Sequence, residues 1–192
     1  MKKLLITILL FFQVLYLFAQ DHKQECINLT HLKGSTLFLH TTTSRLIEFA
    51  GNPDSFTLDR ELEIFHYDSM QTPDYYKIIV NSLAYKDFVY LEKGDSVWIH
   101  SVHFDNKHYY SIVYEDVTFS QYLHIKDFFR YFQVQELNIV LLNKQKLFAG
   151  AKDRVYYTQV ALPVCESKDS ESIQFYFDRK GYLESIAFQV FR

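Results

Sequence analysis

The chain has 192 residues, a net charge of −3, 48% hydrophobic and 22% charged residues, which bounds it to one compact domain or two small ones. Five glycines and three prolines exclude collagen-like and linker-rich disordered classes. The mild acidity argues against a nucleic-acid binder and against attachment to anionic lipid through charge.

Lys2 and Lys3 precede an apolar run from Leu4 to Phe18, and Leu17 and Ala19 fit the cleavage positions before Gln20. This order predicts a secretory signal over 1–19 and a periplasmic or extracellular protein. The run is shorter than the ~20 residues of a spanning helix, so no membrane span is expected after cleavage. A polar leader is expected over 20–36. It holds Cys26, which in an oxidising compartment pairs naturally with Cys165, the only other cysteine. Two isolated thiols are the competing reading.

Thr41, Thr42, Thr43 and Ser44 are N-cap candidates, and Leu46, Ile47, Phe49 and Ala50 form an apolar face. With Gly51 at C′ and Pro53 beyond it, the segment reads as a short helix. Strands are expected at Glu61 to Tyr67 and Tyr75 to Val80, then a hairpin from Phe88 to Phe104 turning at Gly94-Asp95. Simple alternation puts Trp98, His100, Val102 and Phe104 on one face. Asn106-Lys107 is a candidate turn into a strand at Tyr109 to Glu115. A second helix is expected within Leu123 to Phe132. The run Ile139 to Leu142 is unassigned by periodicity. Strands are expected at Arg154 to Leu162, Ser172 to Phe177 and Leu183 to Val190, with a turn at Asp178 to Gly181.

The pattern starts over midway. Leu39-His40 and Leu123-His124 are 84 positions apart, and the hairpin glycines Gly94 and Gly181 are 87 apart. The fold class read from this is α+β: two similar halves, 37–115 and 116–192, each a short helical element plus an antiparallel β-meander.

The helix ending in Gly51-Asn52-Pro53-Asp54, followed by meandering strands, resembles the element that opens SmpA/OmlA (BamE-like) domains, over residues 37–104 with an echo over 119–190. A tandem pair is similar to the β-lactamase inhibitor protein architecture. The second copy carries Gln133-Val134-Gln135 in place of that signature. The end Phe18-Ala19-Gln20 resembles signal ends of exported Bacteroidetes-type proteins. These resemblances imply an exported binding or scaffold protein. Leu91 to Val97 is also similar to a hairpin in exported thioredoxin-like proteins, without their paired redox cysteines.

No glycine cluster can cradle phosphate, and there is no nucleophile elbow or His-Glu-x-x-His. Glu61 and Glu63 share a strand face and read as solvated residues. If Asn106-Lys107 made a two-residue turn, His103 would pair with Tyr110 and Asp105 with His108. That would gather His103, Asp105 and His108 as a metal set. The competing reading is the polar outer side of a strand.

The 15 Tyr, 18 Phe and single Trp are the unusual term. Tyr109-Tyr110 and Tyr156-Tyr157 put consecutive rings on opposite strand faces, which leaves one of each pair for recognition. The expected function is a non-enzymatic module, without a cofactor, binding an envelope or extracellular protein through an aromatic-rich sheet. The alternative is a small-ligand or metal-binding module with a cleft between the halves.

Overall fold

The computed structural model describes residues 24–34, 37–66, 74–104, 110–135, 139–141, 158–167 and 171–190. The expected signal over 1–19, its cleavage point, Asp105 to Tyr109 and Tyr156-Tyr157 lie outside the described residues. Among the described residues, no helix is long and apolar enough to cross a membrane.

The fold is α+β. A 3-10 turn, Leu29–His31, leads to β1 (Leu32–Gly34) and β2 (His40–Thr42). Helix α1 (Thr43–Ala50) follows. Thr42 caps it by accepting from the Arg45 N–H, and Gly51 ends it at φ +79°. Then come β3 (Ser55–His66), β4 (Asp74–Ala84), β5 (Phe88–Lys93) and β6 (Ser96–His103). A small hairpin, β7 (Ile112–Tyr114) and β8 (Val117–Phe119), precedes helix α2 (Ile125–Tyr131), capped by the His124 ring. The chain ends in β9 (Ile139–Leu141), β10 (Thr158–Pro163), β11 (Ser172–Phe177) and β12 (Leu183–Gln189).

Among the described residues, nine strands make one antiparallel sheet in the order β3-β4-β5-β6-β12-β11-β10-β9, with β2 also on β6, while β1-β7-β8 form a second sheet. The segment expected as a polar leader is therefore structured over 24–34. Ile27 and Leu32 are buried in the core. Ile27 exchanges backbone bonds with Pro163 and Cys165, and Gln24 with Tyr131 and Gln133. These segments lack the length and alternation that mark an element in sequence. Tertiary pairing makes them regular.

One face of the large sheet carries the main core, into which α1 sends Leu46 and α2 sends Phe128. Phe128 lies 4.8 Å from Phe132 and 4.8 Å from Phe175, centroid to centroid. Two of the four residues expected on the α1 apolar face, Ile47 and Phe49, are exposed instead.

The single-face reading of β6 is corrected by a bulge. Tyr90 pairs with Ile99 but Val89 with Ser101, so His100 is an extra residue and parity flips there. Val97, Ile99, Val102 and Phe104 face the main core, whereas Trp98 joins Val80 and Leu91 on the outer face. A matching shift on β12 pairs Tyr176 with Ser185 and Phe177 with Leu183, which leaves Glu184 extra. Two backbone bonds correspond likewise: Ile99 N–H to the Leu39 carbonyl, 3.0 Å, and Leu183 N–H to the Leu123 carbonyl, 2.9 Å.

Candidate functional site

Of the candidate site residues singled out in the sequence, Cys26, Cys165, His103 and Tyr110 lie among the described ones. Cys26 and Cys165 are at disulfide distance, Sγ–Sγ 1.99 Å and Cα–Cα 5.1 Å, and no free cysteine is left. Of the metal set, only His103 is described. It pairs with Ser185 of β12, and its backbone N–H bonds the Asp87 carbonyl beside β5. Both edges of β6 are thus occupied, so the His103–Tyr110 pairing that would gather the set is not formed. Among the described residues, no group of three or more His, Cys, Asp or Glu side chains could hold a metal ion.

Tyr110 is half-buried, packs against the main core and meets Phe88 edge-on at 5.6 Å. It is not an open recognition ring. Among the described residues the exposed rings are Phe49, Phe56, Tyr122, Tyr131 and Tyr182.

Five of the exposed large apolar residues come from one stretch of chain: Ile47 and Phe49 on α1, Phe56 and Leu58 on β3, and Ile79 on β4. Register explains how the strand residues gather. Phe56 pairs with Leu83, and two residues along β4 from Leu83 and Asn81 is Ile79, so side chains of period two put them on one face. Leu58 has the parity of Phe56. The extra residue that follows, Asp59, adopts φ +51° and gives its N–H to Asn81 Oδ1 at 3.3 Å. That face is the one α1 lies on. Thr43 Oγ1 donates to Glu92 Oε1, and the other Glu92 oxygen accepts from Asn81 Nδ2 at 2.9 Å. Past this polar link the sheet face continues with Leu58, 64% exposed, and Ile79, 58% exposed. Hydrophobic side chains left in water at that density on adjacent elements are the feature that marks interaction surfaces.

Sequence reading missed this patch because it started the strand at Glu61. The available signal was the alternation Phe56, Leu58 before the charged pair Asp59-Arg60, which the positive φ interrupts.

A small cleft of ≈ 70 Å³ opens where β2, β6 and the end of β12 meet, lined by Leu39, His40, Trp98, Ile99, Phe188 and Val190 with Leu29 and Leu32. Ligand pockets usually measure about 300–1,000 Å³. This one has room for little more than a single aliphatic group.

At the β6 bulge, His100 is mostly buried. Burial, and secondarily the Arg60 charge, push its pKa down to about 4, partly opposed by a hydrogen bond to the Phe188 carbonyl. Among the described residues its Nδ1 has no hydrogen-bond partner, and burial favours the neutral ring.

No family model, curated protein or solved structure matches the chain.

Proposed function

We propose that this chain is an exported, non-enzymatic protein-binding module that docks its partner on the apolar patch of α1, β3 and β4. The observation that carries the reading is the gathering of Phe56, Leu58 and Ile79, each at least half exposed, on the sheet face that α1 lies on, with Phe49 of α1 also half exposed. Anchors of this kind contribute most where they are desolvated by a partner. The disulfide-distance pair Cys26–Cys165 is compatible with an oxidising compartment.

The architecture we read is a tandem of two helix–meander units, as the resemblance to SmpA/OmlA-type and β-lactamase inhibitor proteins implies. Support comes from the corresponding bulges at His100 and Glu184 and from the corresponding bonds of Ile99 and Leu183.

The test is partner capture from the envelope fraction of the native source, with Phe56→Ser, Leu58→Ser and Ile79→Ser against the native chain. Each substitution should weaken capture by about 1–2 kcal/mol, tenfold or so. It should leave the melting transition in place, since half-exposed side chains carry little folding energy. Undiminished capture by the triple variant would overturn the docking surface. Mass spectrometry of the exported protein should find Gln20 as its first residue.

A further inference from the structure

We propose that the surface around His124 binds an acidic saccharide, stacking a sugar ring on Tyr182 and pairing its carboxylate with Lys126 and Lys180. The site lies where α2 begins beside the turn from β11 to β12. It uses no residue of the α1–β3–β4 patch and does not rest on what that patch binds.

His124 is the hub. It forms an antiparallel bridge with Tyr182, and the two rings meet edge to face with centroids 5.2 Å apart. Its Nδ1 accepts from the Lys126 N–H at 3.1 Å, which leaves Nε2 to donate to the Lys180 carbonyl, also at 3.1 Å. One imidazole thus joins the backbones of two lysines from distant stretches of chain. Both lysines are exposed, and side chains of that length starting so close together can converge on one anion. Tyr122, 67% exposed, is two residues from His124, so its Cα lies within about 7 Å of that of His124 and extends the aromatic surface.

The turn that carries Lys180 and Tyr182 is fixed before any ligand arrives. Asp178 Oδ1 accepts from the Lys180 and Tyr182 N–H groups, each at 2.8 Å. The Asp178 N–H donates to the Tyr182 carbonyl at 2.8 Å, and the Gly181 N–H to the Asp178 carbonyl at 2.9 Å. A backbone already held in its binding conformation loses little entropy on association. The neighbouring carboxylates have their own partners: Asp178 holds this turn, and Asp127 pairs with Arg130 at 2.9 Å.

The same pairing occurs 84 positions earlier, where His40 faces Trp98. There the indole is 5% exposed and packs with Val80 and Leu91. Tyr182 is 43% exposed. Packing accounts for the ring at the first position and leaves much of the ring at the second in water.

An acidic saccharide matches both halves of this surface. The face of an aromatic ring is negative, and the polarised C–H bonds on one side of a pyranose meet it while the hydroxyls stay in water. Such stacking needs an exposed, rigid ring rather than a deep pocket. The lysines supply the charge opposite to a uronate carboxylate. The whole chain is acidic, at −3, so attraction for an anion is local to such a cluster. An acidic peptide would satisfy the lysines but offers no sugar face to Tyr182.

The probe is an oligogalacturonate titrated calorimetrically into the full chain. It should bind, and more weakly as salt rises, because exposed charge pairs are screened. Tyr182→Ala should weaken binding about tenfold, as for an anchor residue, while Tyr182→Phe keeps it, since stacking uses the ring and not the hydroxyl. Lys126→Gln and Lys180→Gln should each weaken it severalfold and flatten the salt dependence. These exposed substitutions should leave the melting transition in place. A neutral oligogalactoside, which lacks the charge, and polyglutamate, which lacks the sugar face, should each bind about tenfold more weakly, or worse. The site is refuted by any of three results: no binding of the oligogalacturonate, polyglutamate bound as tightly, which would make this an acidic-peptide surface, or native affinity in Tyr182→Ala. Should Tyr182→Ala melt early, the double variant K126Q/K180Q decides, and native affinity there refutes the site.

Discussion

Val102 and Ile186 face each other at the centre of the β6–β12 ladder, both 0% exposed, and they stand 84 positions apart in the chain. The flanking pairs are Ser101 with Ala187 and His103 with Ser185. Adding 84 to one member of each pair gives a member of the other, so the ladder maps onto itself about the Val102–Ile186 pair. The two positions fill one packing site. The double variant V102I/I186V keeps the summed volume and should lie within about 1.5 kcal/mol of the native chain. Ile186→Ala leaves a hole and should cost about 2–5 kcal/mol. Urea unfolding separates the two. A swap as damaging as the truncation would mean that the positions are not interchangeable.

The two hairpin glycines should respond differently to alanine. Gly94 has φ +62° with nothing near a prospective Cβ, so Gly94→Ala meets only the left-handed backbone penalty, about 1–2 kcal/mol. Gly181 has φ +84°, and a Cβ there would come 2.8 Å from His124 Nε2. That ring caps α2 and reaches the Lys180 carbonyl at 3.1 Å. Gly181→Ala should therefore cost more than Gly94→Ala, with the excess appearing as lost protection in the first turn of α2. Equal costs in thermal unfolding would show that the His124 ring yields freely.

Elements that carry their own punctuation were legible in the sequence. Helix α1 has Thr42 before it and Gly51 after it, and the hairpins at Gly94 and Gly181 announce their turns. The β2, β7 and β8 strands have three residues each, too few for periodicity to speak, and they are strands because partners exist for them. The one-face reading of Trp98, Val102 and Phe104 failed at a single bulge residue, His100, which changes parity without any compositional mark. One ring of the Tyr109-Tyr110 pair is expected to be free for recognition because adjacency of two tyrosines fixes opposite faces. It does not fix which face meets Phe88.

The Cys26–Cys165 pair closes a loop with a sequence separation of 139 and fastens the segment that plugs Ile27 into the core. In the chain-entropy account such long loops gain most, so replacing both cysteines by serine should cost about 2–5 kcal/mol. The loss should begin at the strap. Amides of Ile27 and Cys165, which bond Pro163 and Ile27 at 2.9 Å, should lose exchange protection before those of Val102 or Ile186. Simultaneous loss at all four sites would make the strap part of the global unfolding unit.

His100 sets a pH dependence of folding whose sign is fixed by its surroundings. Its folded pKa is lowered to about 4 from 6.5, so the unfolded chain binds this proton more readily than the folded one. Stability from keeping the ring neutral is full above pH 6.5, declines as pH falls through the window from 6.5 to 4, and declines no further from this group below 4. Across that window the loss approaches about 3 kcal/mol, since each pKa unit is worth about 1.4 kcal/mol. Carboxylates titrate in part of the same range, so the readout is the difference between the native chain and His100→Gln, whose amide can still donate to the Phe188 carbonyl. Denaturant midpoints at pH 7.5, 5.5 and 4 should converge or cross in favour of the variant as pH falls, because only the native chain has a proton to take up on unfolding at that position. Parallel midpoints at all three pH values would place His100 in contact with water, and the burial that lowers its pKa would then be absent in solution.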